Sequence, residues 1–114
     1  MSAPLFDLAF GLHCVAGNEA LFRKLMGKFA DQHAEDAAKI ESALDVDDRE
    51  LAHRLAHTLK GVGASLGFLL LQEKATEMDA AFKTNQSPET IRALLPGLAD
   101  TLRDSVAAAR GNCV

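Results

Sequence analysis

The sequence predicts an all-α fold: an antiparallel four-helix bundle with a short extra helix at the N-terminus. Three observations predict it. Apolar residues recur at helical spacing along most of the chain. Ala and Leu dominate while Val and Ile are sparse, which favours helices over strands. Stop and start signals divide the chain into amphipathic stretches joined by short loops, and such stretches pack as antiparallel neighbours.

The elements follow in order. A short helix is expected from about Phe6 to Val15, ended by Ala16-Gly17. Asn18 is a good N-cap for a long helix reaching about Leu44. Its apolar stripe is Phe22, Met26, Phe29, Ala37, Ile40 and Leu44, and His33 falls within that stripe as a core or boundary residue. The acidic run Asp45-Val46-Asp47-Asp48 breaks that helix and begins the next, because carboxylates suit helix N-termini. That third helix runs from about Asp48 to Leu66, with Gly67 at the turn. A further helix from Phe68 to about Lys83 carries Leu71, Ala75, Met78 and Phe82 on one face. Thr84-Asn85-Gln86 is a loop. Ser87, Pro88 and Glu89 supply an N-cap, a proline at the first helical position and an acid in the first turn. The last helix carries Ile91, Leu94, Leu95, Leu98, Leu102 and Val106, and Pro96-Gly97 is expected to kink or break it.

The bulk properties bound the function. The chain's 114 residues suit a single domain spanning 1–114, and 48% hydrophobic residues can build a real core. A net charge of −4 argues against nucleic acid, as does the absence of Trp and Tyr as base-stacking platforms. No apolar run is long enough to cross a membrane, and the start MSAPLFDLAF lacks the pattern of a signal peptide. Cys14 and Cys113 do not make a disulfide framework. A cytoplasmic location is expected. His13 and Cys14 read as packing or surface positions.

The stretch HTLKGVGASLG, residues 57–67, carries three glycines within a helical pattern. At about 100° per residue, Leu51, Leu55, Leu59, Val62 and Leu66 fall together, opposite His57. His57 therefore points away from the expected core. On the wheel alone a solvated histidine with no task remains the alternative. Its helical neighbours are His53, Arg54, Lys60 and Gly61, with Ala64 further along the same side. Gly61 and Gly63 cost roughly 2 kcal/mol together relative to alanine. Glycine is used where another backbone or a ligand approaches closely, so the expectation is that these glycines clear ground over the imidazole. An imidazole with the usual pKa near 6.5 is largely neutral at pH 7 and offers a nucleophilic lone pair. The Lys60 ammonium one turn away attracts an anionic phosphoryl group and stabilises charge during its transfer. If the chain turns at Gly67, Asp79 on the next helix falls across from His57. Its carboxylate can fix the imidazole tautomer; a solvated aspartate is the alternative.

These residues resemble the histidine-containing phosphotransfer (HPt) domain family. The family pattern H-x-L-K-G, with a glycine ten residues after the histidine, is matched by His57-Thr58-Leu59-Lys60-Gly61 and Gly67. Phe6-Asp7-Leu8 and Ala16-Gly17-Asn18-Glu19 are similar to the family's N-terminal part, so the resemblance covers nearly the whole chain. It implies a four-helix bundle core and a histidine that carries a phosphoryl group between receiver-domain aspartates. His57 would be the phospho-acceptor, Lys60 the phosphoryl stabiliser, and Gly61 and Gly67 the access residues. Asp79 stands where the family often has Glu or Gln, and Met78 replaces the usual leucine before it.

The implied partners are receiver domains of response regulators and hybrid kinases. They would dock on the face formed by His53, Arg54, Gly61, Ala64 and Gly67. The resemblance implies no nucleotide binding, no kinase activity and no cofactor of the chain's own, and the sequence agrees in having no nucleotide-binding glycine loop. Mg²⁺ would come with the partner's aspartate site. A monomer is expected, since the histidine must stay exposed, and Met1 with the compact length favours a free-standing protein.

Two other readings compete. Glu50-x-x-His53 matches half of a di-iron bundle motif, but no second copy exists, and Arg54 stands where a zinc helix would need its glutamate. No metal is expected. A pure docking module would gain nothing from retaining both His57 and Lys60.

Overall fold

Side-chain caps begin most of the helices. The structure, a computed structural model, describes residues 3–113. It contains α1 (Leu8–Cys14), α2 (Glu19–His33), α3 (Asp36–Asp45), α4 (Arg49–Leu66), α5 (Leu69–Lys83) and α6 (Pro88–Arg110), with no strand among the described residues. Asp7, Asn18, Asp48 and Ser87 each accept a hydrogen bond from the backbone N–H three residues on, at 3.0–3.1 Å. Each satisfies one of the orphan donors of a helix N-terminus. Gly67 ends α4 in the left-handed conformation at φ +85°, a backbone that favours glycine.

α4 packs on α5, α5 on α6, and α6 on α2, while α3 closes the ring against α4 and α6. The bundle therefore has four walls, one of them split between α2 and α3, and α1 lies against α4 and α2. The core is built on Phe22, Met26, Phe29, Leu59, Phe68, Leu71, Met78, Ile91, Leu98 and Leu102, all essentially buried. Phe68 stacks between Phe6 and Phe29, with ring centroids 4.7 and 4.9 Å away.

Three expectations need correction. The single helix from 18 to 44 is two helices, broken at Ala34 and Glu35. The apolar stripe survives the break, with Phe22, Met26, Phe29 and Ile40 all buried. The break lets α2 follow α6 while α3 turns to follow α4. His33 Nδ1 donates to the buried Asp36 carboxylate across it, at 2.7 Å. The last helix, conversely, runs unbroken through Pro96 and Gly97. Both are exposed, and there a carbonyl that loses its helical donor can bond water. The core face of α4 is Ala52, Ala56, Leu59, Gly63 and Leu66, whereas Leu51, Leu55 and Val62 are half-buried. It is rotated by about 60° from the leucine stripe. Gly63 faces α5, and Leu51 and Leu55 line a recess with α3.

Candidate functional site

The α4–α5 hairpin brings one buried carboxylate under the exposed histidine. His57 lies midway along α4, its side chain 60% exposed, whereas the Asp79 side chain on α5 is 2% exposed. The Asp79 carboxylate faces four nitrogen groups. His53 Nε2 lies 2.7 Å from Oδ1, and His57 Nδ1 lies 3.4 Å from the same oxygen, a long contact. Lys60 Nζ donates to Oδ2 at 3.0 Å, and Lys83 Nζ lies 3.1 Å from that oxygen.

Burial pushes the Asp79 carboxyl up, but hydrogen bonds from Lys60, Lys83 and His53 together outweigh it. They hold the carboxyl well below the usual carboxylate range. An ionised carboxylate only accepts, so the ring nitrogens that face it carry the hydrogens. His53 Nε2–H therefore donates to Asp79, and the His57 tautomer that suits the site has its proton on Nδ1. That leaves the His57 Nε2 lone pair directed away from the carboxylate. His53 is held further by stacking on Phe82, with centroids 5.0 Å apart, and the Arg49 guanidinium lies 5.4 Å from the same ring.

The glycines divide into two roles. A Cβ on Gly61 would meet nothing within 4 Å, so that side of α4 is open. A Cβ on Gly63 would lie 2.9 Å from Gln72 N and 3.0 Å from Phe68 O, so Gly63 serves the close approach of α5. Gly67 is also corrected as an access residue. It is buried, a Cβ there would collide with the Asp7 carbonyl, and its own carbonyl accepts from Asp7 N at 2.8 Å. The N-terminal segment covers it.

Of the other expected docking residues, Arg54 is exposed, Ala64 half-buried, and His53 engaged with Asp79. Lys60 likewise is tied to Asp79 rather than free. Lys83 was not singled out by the sequence reading; its spacing of four from Asp79 on one helix is the signal that could have found it. Two recesses border this part of α4, and His57 itself lines only the second of them. One, of about 490 Å³, lies between α2 and α4 and includes Leu25, Phe29, Thr58, Gly61 and Val62. The other, of about 350 Å³, is lined by Glu50, His53, Arg54, His57 and Lys83. Among the described residues no group of three or more His, Cys, Asp or Glu side chains is arranged to hold a metal ion. His13 and Cys14 are exposed, away from this cluster.

The chain is similar to known proteins in two respects. A family model described as Hpt domain matches residues 24–112. A solved HPT domain, from an Hpt sensor hybrid histidine kinase of Shewanella, shares the fold with a TM-score of 0.83. It is 20% identical, over 94% of this chain and 92% of that one. No curated protein matches the chain.

Proposed function

The chain belongs to the Hpt domain family, the histidine phosphotransfer modules of two-component signalling, and from that premise we propose that His57 carries a phosphoryl group between receiver-domain aspartates. The observation that carries this reading is the pairing of an exposed imidazole with a buried, ionised carboxylate behind it. Nε2 attacks the phosphorus of a receiver's aspartyl phosphate. The Nε2–P bond forms as the P–O bond to the aspartate breaks, and the aspartate leaves as carboxylate. The proton on Nδ1 stays, and Asp79 offsets the positive charge that the ring acquires. The reverse of this step on a second receiver regenerates neutral His57. Lys60 supports the step by holding Asp79 in place and by adding positive charge near the transferred group.

Hpt domains are phosphotransfer modules rather than kinases. On this reading the chain itself holds no cofactor, and Mg²⁺ arrives at the receiver's aspartate. The receiver docks over Arg54, Gly61 and Ala64, with the rim of His53 beside them. A cytoplasmic monomer suits that role, because the docking face must stay open.

The test uses a phosphorylated receiver domain with Mg²⁺, the wild-type chain and His57→Gln. An acid-labile gain of one phosphoryl group in wild type alone supports the reading. Loss of that group to a second, unphosphorylated receiver completes it. No gain with several receivers, or an equal gain in His57→Gln, contradicts it.

Gly61 gives a prediction in which stability and function part company. Gly61→Ala removes an interior helix glycine without a clash and is expected to stabilise the fold by about 1 kcal/mol. The added methyl lies where the receiver approaches, so transfer should slow several-fold. Chemical denaturation and the transfer rate, measured on the same preparation, check both halves.

A further inference from the structure

Two ammonium groups share one oxygen of Asp79, but they are not equivalent. Lys60 is 29% exposed and sits over the carboxylate, whereas Lys83 is 57% exposed. Lys83 also borders the recess beside the imidazole, together with His57, Arg54 and Glu50, and Lys60 does not. Asp79 keeps Lys60 and His53 as donors if Lys83 leaves, so release of Lys83 strands no buried charge.

We infer that Lys83 is the cation that contacts the phosphoryl group on His57, while Lys60 remains on Asp79. This rests on the phosphotransfer reading above. A phosphoryl group on Nε2 brings negative charge to the solvent side of the ring. The exposed Lys83 ammonium exchanges a carboxylate oxygen for a phosphoryl oxygen by side-chain rotation alone. The site thus divides its lysines: one anchors the carboxylate that orients His57, and the other follows the transferred group.

The test separates this from a merely structural role. The chain is phosphorylated with potassium phosphoramidate, where Nε2–P forms as the P–N bond to ammonia breaks. The phosphoryl group is then titrated by ³¹P NMR in wild type, Lys83→Gln, Lys60→Gln and Lys83→Arg. Glutamine keeps a donor for Asp79 but removes the charge. A cation in contact favours the dianion, so Lys83→Gln should raise the phosphoryl pKa by about one unit. Lys60→Gln should move it less, and Lys83→Arg should restore the wild-type curve. No shift in Lys83→Gln, or an equal shift in Lys60→Gln, overturns the assignment of Lys83 and leaves the phosphotransfer reading standing. Absence of a His57-dependent phosphoryl signal in wild type, with His57→Gln as control, overturns both.

Discussion

Asp79→Ala is expected to damage the fold and the chemistry together. The carboxylate is buried and receives hydrogen bonds from Lys60 and His53, with Lys83 alongside. Its removal leaves half-buried donors without their acceptor. Breaking a buried charged pair costs about 3–5 kcal/mol, and the lysines' partial access to water lowers the expectation here to about 2–3 kcal/mol. Thermal or chemical unfolding measures it. The chemical effect has a separate origin. Free in water, a neutral imidazole prefers its proton on Nε2, the wrong nitrogen for attack from that position. Without Asp79 the competent tautomer of His57 becomes the minority form, and transfer should fall by about tenfold.

Asp79→Asn isolates the charge, and its signature is in the acid limb. The folded carboxyl titrates below its unfolded value. Its stabilisation is therefore complete above the unfolded pKa near 4 and is lost as pH falls below that value. Wild type should lose stability steeply from about pH 4 downward, and Asp79→Asn should lose less over the same window. Parallel slopes in the two proteins would contradict a depressed Asp79.

The second large effect is expected at Gly63. A methyl group there meets the backbone of Phe68 and Gln72, which no side-chain rotation can relieve. Helix α5 must move away from α4, and Leu59, Leu71 and Met78 lose packing with it. Gly63→Ala should destabilise by about 2–3 kcal/mol despite alanine's better helix propensity. Equilibrium unfolding checks this, with Gly61→Ala as the internal comparison. The same substitution two residues apart should change stability in opposite directions. Two equal, favourable effects would mean that Gly63 is not packed against α5.

That contrast shows what the sequence carried and what it did not. Spacing and residue type signalled the helices and most of their ends, because caps such as Asn18 and Ser87 act locally. They placed His57 outward, since an apolar stripe of any width opposes it. They did not show that the long second helix divides at Ala34 and Glu35. No glycine or proline marks that break; it follows from which neighbours α2 and α3 pack against. They also treated the glycines alike. Only the position of α5 separates Gly63, pressed on backbone, from Gly61, facing open space. Gly67 was read rightly as the turn but wrongly as an access residue, since its cover comes from Asp7, sixty residues earlier in the chain. Asp79 was found from hairpin register. Its contacts with His53, Lys60 and Lys83, beside the expected one with His57, were not, because convergence on one carboxylate is a property of two packed helices rather than of either alone. Pro96 does not break its helix: on an exposed helix face the lost hydrogen bond is tolerated.

Phosphoryl transfer through His57 as proposed requires Nε2 to face outward, with Nδ1–H toward Asp79. The measurement that tests this most directly is a long-range ¹H–¹⁵N correlation spectrum of the ¹⁵N-labelled chain, before and after phosphorylation by a phosphorylated receiver with Mg²⁺. The expected result is a neutral His57 ring protonated on Nδ1 beforehand, and a phosphoryl group on His57 Nε2 afterwards. A phosphoryl group on Nδ1, on another histidine, or on no histidine at all would contradict it.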